Sequence, residues 1–110
     1  MVKEYIPKQG DIVVLTFDPQ AGHEQQGRRP ALIISNETFN KHVGLAIACP
    51  ITNTNRNFPF HVKVDSKQLT GFVMSEQVKS IDFRARKVKF VEKATDDLVK
   101  NVLGIVATVF

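Results

Sequence analysis

A chain of 110 residues with 43% hydrophobic content has the size and composition of one globular domain around one core. Its formal net charge of +4 favours polyanionic partners such as RNA, DNA or an acidic protein tail. The start, Met1-Val2-Lys3-Glu4-Tyr5, does not read as a signal peptide, and no apolar run approaches a membrane span. With one cysteine, which excludes an intrachain disulfide, the chain is expected to be a soluble cytoplasmic single domain over residues 1–110.

In chain order, residues 11–17 (Asp-Ile-Val-Val-Leu-Thr-Phe) are β-branched and bounded by Gly10 and by Asp18-Pro19, the pattern of a strand ending in a turn. Residues 30–35 form an uninterrupted apolar run and predict a strand buried on both faces, with Pro30 at its start where a missing N–H does least harm. Residues 36–41 are expected to make no more than a helical turn. Further strands are predicted at 45–50, at 58–64 with Phe60, Val62 and Val64 alternating, and at 72–78, with two short ones between 80 and 90. Cys49 reads as a small buried hydrophobe.

After residue 95 the period changes. Leu98, Val99, Val102, Leu103 and Val106 fall at helical spacing, Thr95 fits an N-cap, and Asp96 and Asp97 sit where the helix dipole favours negative charge. The β-branched valines keep a strand over residues 101–110 open as the alternative. Many short strands followed by one helix give a mainly β fold, a small partly closed barrel with a C-terminal α-helix.

Three segments carry groups suited to chemistry. Residues 22–30 (Gly-His-Glu-Gln-Gln-Gly-Arg-Arg-Pro) set Glu24, Arg28 and Arg29 in a glycine-bounded loop directly before a buried strand, which suits the handling of phosphate. Residues 50–57 join two predicted strands through Thr52, Asn53, Thr54, Asn55, Arg56 and Asn57. Thr52 closes a strand, and the asparagines fit a self-bonded turn as well as they fit ligand contact. Residues 79–87 interleave Lys79, Arg84, Arg86 and Lys87 with Ile81 and Phe83. That run fits a nucleic-acid surface or a solvated strand edge equally, with Ile81 and Phe83 better suited to the core. His23, His42 and His61 lie apart from one another and from any ligand set for metal, and His61 on an alternating strand reads as a surface or structural residue.

The ordered segments Gly10-Asp11-Ile12-Val13, Phe17-Asp18-Pro19, Gly22-His23-Glu24-Gln25, Gly27-Arg28-Arg29-Pro30-Ala31-Leu32, Cys49-Pro50-Ile51-Thr52, Phe58-Pro59-Phe60 and Ser75-Glu76-Gln77-Val78-Lys79-Ser80-Ile81 resemble the MazF/PemK family of toxin endoribonucleases over essentially the whole chain. The resemblance implies an SH3-like β-barrel, a homodimer, cleavage of single-stranded RNA without metal or other cofactor, and an antitoxin partner with an acidic disordered segment. By position, the family's catalytic arginine corresponds to Arg29, its threonine to Thr52 and its loop glutamate to Glu24. Arg28 lies where the family varies and is expected to bind phosphate, while Gln77 is expected to support the site. Phe17, Phe58 and the loop with Asn53, Asn55 and Arg56 are the expected contacts to extruded bases and backbone. Two other readings stay open at this point: a toxin of the same barrel class that inhibits a DNA topoisomerase by binding, and a non-catalytic RNA-binding module.

Overall fold

Burial on both faces of three central strands organises the molecule. The computed structural model describes residues 4–16 and 28–110. Phe17 and the loop residues His23 and Glu24 therefore lie outside the described residues. In chain order these form β1 (Asp11–Thr16), β2 (Arg28–Ile33), α1 (Glu37–Val43), β3 (Ala46–Thr52), β4 (His61–Asp65), β5 (Thr70–Met74), β6 (Lys79–Ile81), β7 (Lys89–Lys93) and α2 (Asp96–Val109). The strands run β4-β5-β3-β2-β1-β7, with β6 off this path and paired to the first residues of β3, and every pairing is antiparallel. The sheet is curled into a half-barrel.

Successive side chains of a strand point to opposite faces, and here both faces are covered. Ile12, Leu32, Ile34, Cys49 and Ile51 pack with Leu98 and Val102 of α2. Their neighbours Val13, Ala31, Ile33, Ala46 and Ala48 form a second cluster with Ile81 and Phe83. Ile12, Leu15, Leu32 and Ile33 are at most 1% exposed, and burying each contributes about 1.5–3 kcal/mol. The double burial expected for the run after Pro30 is observed, and Cys49 is buried as expected. Its thiol is pushed up to about 12, first by burial and then by the charge of Glu76, so it stays protonated near neutrality.

The helix expected at the C-terminus spans Asp96–Val109, and the Thr95 side chain accepts from the Leu98 N–H at 3.2 Å. Several boundaries differ from the sequence reading, among them β2, which runs from Arg28 to Ile33 rather than over residues 30–35. Residues 36–41 do more than turn: α1 runs for seven residues, capped by Asn36 and ended by Gly44 in the left-handed conformation at φ 80°. Its Asn40 is fully buried, with an amide that donates to the carbonyls of Pro7 and Ser35. Strand β4 starts at His61 because Phe58 to Phe60 turn, with the His61 N–H donating to the Phe58 carbonyl at 2.9 Å. Strand β5 stops at Met74, which frees Ser75 to Val78 from its ladder, and β3 runs on through Thr52.

One buried charge ties the N-terminal segment to the sheet. Asp11 is 2% exposed and accepts from the Tyr5 hydroxyl at 2.5 Å, the Lys8 N–H at 3.0 Å and Lys93 Nζ at 2.9 Å. A carboxylate in such a place needs these partners to be tolerated. Burial and the neighbouring Asp11 both raise the Tyr5 phenol well above its ordinary value, so it remains a donor.

Candidate active site

Strand register brings Arg29 and Thr52 together. In the β2–β3 ladder Ala31 faces Pro50 and Leu32 faces Cys49. Continued two residues toward the start of β2, that register sets Arg29 opposite Thr52. Both line a surface cleft of about 250 Å³ with Arg28, Pro30, Ile51 and Asn53. Arg29 is exposed and has no hydrogen bond or ion pair among the described residues. The Thr52 hydroxyl oxygen accepts from the Thr54 N–H at 3.2 Å, which leaves its own proton to donate.

Thr52 is held from behind by β5, where it pairs with Phe72. A Cβ on Gly71 would stand 2.8 Å from the Thr52 carbonyl oxygen and 2.9 Å from Ile51 Cγ2. Glycine is required there by the close approach of two backbones.

On its other side Thr52 lines a second cleft of about 410 Å³, shared with Arg56, Phe58, His61, Met74, Glu76 and Gln77. The Phe58 ring is 43% exposed and set edge-on against Phe60 at 5.5 Å and His61 at 5.2 Å. Such contacts fix the ring while leaving surface for stacking. The His61 side chain is only 4% exposed, and its Nε2 stands 3.1 Å from Glu76 Oε2. Facing an ionised carboxylate, Nε2 carries the proton. His61 Nδ1 and Glu76 Oε1 are buried with no hydrogen-bond partner.

The remaining predicted residues distribute unevenly. Arg56, Phe58 and Gln77 line the larger cleft and Asn53 the smaller. Asn55 caps its own turn, accepting from the Asn57 N–H at 2.9 Å, with Asn57 at φ 50°. Lys79, Arg84 and Arg86 line neither cleft. Lys79 pairs with Ala48 in the β3–β6 ladder. Arg84 forms an ion pair with Glu4 and stacks 4.9 Å above the Phe83 ring. Arg86 Nη1 donates to the Thr16 carbonyl at 3.0 Å.

Arg28 reaches the edge of the smaller cleft, yet its guanidinium is engaged elsewhere. It donates to the carbonyls of Lys87 at 2.8 Å, Val14 at 3.2 Å and Arg86 at 3.3 Å. Those bonds tie β2 to β1 and to the segment before β7. The phosphate role expected for Arg28 therefore has to compete with a structural one.

The sequence reading passed over Glu76 and did not separate the surface from the structural role for His61. Glu76 stands in the quoted Ser75-to-Ile81 segment, but nothing in the spacing from residue 61 to residue 76 announces a pair. That contact exists because β4 and β5 are adjacent, with His61 opposite Met74. Among the described residues no cluster of His, Cys, Asp and Glu suits a metal ion, and no helix is long and apolar enough to cross a membrane.

Residues 8–110 match the model of the PemK-like, MazF-like toxins of type II toxin-antitoxin systems. The chain is 38% identical over 86 residues to the endoribonuclease toxin MazF of Escherichia coli K12, covering 78% of each. It is 39% identical over 109 residues to the endoribonuclease toxin ChpB of the same organism, covering 94% of this chain and 93% of ChpB. The fold superposes on the crystal structure of MazF from Deinococcus radiodurans with a TM-score of 0.86 at 37% identity, covering 96% and 97% of the two chains. A MazE-MazF complex from that organism matches with a TM-score of 0.85 at 31% identity, covering 96% of each chain. With a mainly β half-barrel, a C-terminal helix and this match over residues 8–110, the chain belongs to the PemK-like, MazF-like family of toxins of type II toxin-antitoxin systems.

Proposed function

We propose that this protein is a metal-independent endoribonuclease that cuts single-stranded RNA within a short preferred sequence, halting translation and growth until an antitoxin neutralises it. The observation that carries the reading is the shared cleft of Arg29 and Thr52, with an unengaged guanidinium on one wall and a hydroxyl proton on the other.

RNA contains its own nucleophile. The ribose 2′-OH attacks the adjacent phosphorus, the P–O5′ bond breaks, and the products are a 2′,3′-cyclic phosphate and a 5′-OH. The protein has to align the attack, remove the 2′-OH proton, protonate the leaving oxygen, and stabilise the extra negative charge on the phosphorane. Arg29 suits the last task, because a planar, permanently cationic fork matches two phosphate oxygens and does not titrate near neutral pH. Thr52 adds a neutral donor to the same oxygens. Preorganised donors of this kind are worth about 10²–10³-fold each. Glu24 is assigned the proton transfer, or else the orientation of the 2′-OH.

Substrate bases would splay into the larger cleft against Phe58, with Arg56 beside the backbone. An acidic antitoxin segment that orders on binding would compete for the same basic surface, and a homodimer in the cytoplasm is the expected working form. The test is incubation of the purified protein with a long single-stranded RNA in EDTA. Discrete cuts ending in cyclic phosphate are the expected result. Binding without cuts would instead mark an RNA-binding module, and inertness toward RNA would favour a topoisomerase inhibitor.

A further inference from the structure

The larger cleft contains a feature that phosphate chemistry does not require. Among the described residues lining it, Glu76 is the one carboxylate, placed on the far side of Thr52 from Arg29. A negative group there repels a phosphate backbone, so whatever it faces must donate hydrogen bonds. His61 fixes its aim: Nε2 holds Oε2 at 3.1 Å, and the imidazole is 4% exposed and packed edge-on against Phe58. Oε1 is left without any donor. A carboxylate oxygen accepts two hydrogen bonds; Oε2 also accepts from the Gln77 side-chain amide at 3.4 Å, so the vacant acceptor positions are those of the buried Oε1. An ionised carboxylate that is partly buried and incompletely bonded is costly unless a ligand completes it.

We infer that Glu76, held by His61, reads the amino-bearing edge of one RNA base stacked on Phe58, admitting adenine, cytosine or guanine and rejecting uracil. The inference rests on the endoribonuclease reading. The geometry favours a base over other donors because the same cleft offers an anchored aromatic face, a soft Met74 floor and the Gln77 amide, within a volume suited to a planar ligand. The exocyclic amino groups of adenine and cytosine, and the N1–H and N2 amino group of guanine, donate to a carboxylate. Uracil sets carbonyl oxygens on both sides of its one N–H, and these face Glu76 with like polarity. His61 is a positioning residue: it acts on the base only through the carboxylate it orients.

The experiment maps cuts by the wild-type protein and by Glu76→Gln in an RNA pool of randomised sequence. Wild type is expected to show one position near the cut where uracil is disfavoured by about 5- to 150-fold, the range of a good base-edge contact. In Glu76→Gln, whose amide also donates, that ratio should collapse toward one while preferences at other positions persist. His61→Phe keeps the aromatic wall and should relax the same ratio partly, an effect that loss of stability alone would not confine to one position. A second measurement needs no variant. Synthetic substrates carry the preferred base or its analogue lacking the amino group, namely purine riboside, 2-pyrimidinone riboside or inosine. Wild type should cut the analogue more slowly by a similar factor. Uracil accepted equally at every position, an analogue cut as fast as its parent, or total loss of cutting in Glu76→Gln would each overturn the inference and leave the nuclease reading standing. Wild-type protein that cuts no RNA would overturn both.

Discussion

Arg28 and Arg29 are consecutive, chemically identical and at the same exposed end of β2, yet the fold puts them to opposite uses. Successive side chains of a strand leave on opposite faces, and although both residues line the smaller cleft, their guanidinium groups meet different surroundings. Arg28 donates to three carbonyls and ties β2 to β1 and to the segment before β7. Arg29, opposite Thr52 by register, has no partner among the described residues. A guanidinium bonded to the protein is largely used up as a phosphate ligand, whereas one left unpaired beside a hydroxyl retains its full fork. The same contrast separates Arg56, which lines the cleft, from Arg84 and Arg86, which do not. Positive charge alone is thus a poor guide to a binding site, and vacancy of the donors is a better one.

The largest expected effect follows from removing the vacant fork. Arg29→Ala and Thr52→Ala should each reduce cutting by about 10²–10³-fold with the thermal midpoint nearly unchanged, and Thr52→Ser should recover most of the loss. Single-turnover cleavage beside a melting curve decides it. Full activity in both alanine variants would remove the site. A smaller loss is expected from behind the site. Gly71→Ala drives a methyl into the Thr52 carbonyl, so β5 or β3 must shift, at a stability cost of about 1–3 kcal/mol. A displaced Thr52 should also slow cutting by about 10- to 100-fold. Gly104→Ala meets nothing within 4 Å and is the control, with activity intact.

Much of this was visible in the residues before any coordinates. The two-faced burial of β2 follows from five consecutive apolar residues after Arg29, and α2 follows from its period and its Thr95 cap. Family segments pointed to Arg29 and Thr52, and the ladder explains why they meet: each ends a central strand, and the two strands are neighbours in register. Three things were not legible. The fate of Arg28 depends on carbonyls at 14, 86 and 87, remote in sequence and exposed by loop geometry. The His61–Glu76 pair depends on a hairpin register, and a one-residue slip would point the imidazole to the other face. The length of α1 depends on Asn40, a polar residue buried because the Pro7 and Ser35 carbonyls need its amide.

The structural arginine gives the next effect down. Arg28→Ala should lower stability by about 1 kcal/mol, since three exposed bonds from a charged donor are lost, and should slow cutting much less than Arg29→Ala. Urea unfolding and cleavage measured on the same preparation compare the two. Equal catalytic losses at equal stability would dissolve the distinction between them.

The smallest effect belongs to the ion pair farthest from the cleft. A hydrogen bond from Arg84, reinforced by its charge, holds the Glu4 carboxyl below its ordinary value. A carboxyl lowered in this way supports the fold while ionised. Its contribution is present above the unfolded carboxylate range and is lost as pH falls through the lowered value. Both partners are solvated, so salt screens the pair and its effect is slight. Glu4→Gln should therefore leave cutting untouched at neutral pH and alter the melting temperature only in the acid limb at low ionic strength, with the difference vanishing in high salt. A change in cutting at neutral pH would mean that Arg84, once released, reaches the substrate, and the line between engaged and vacant arginines would have to be redrawn to include it.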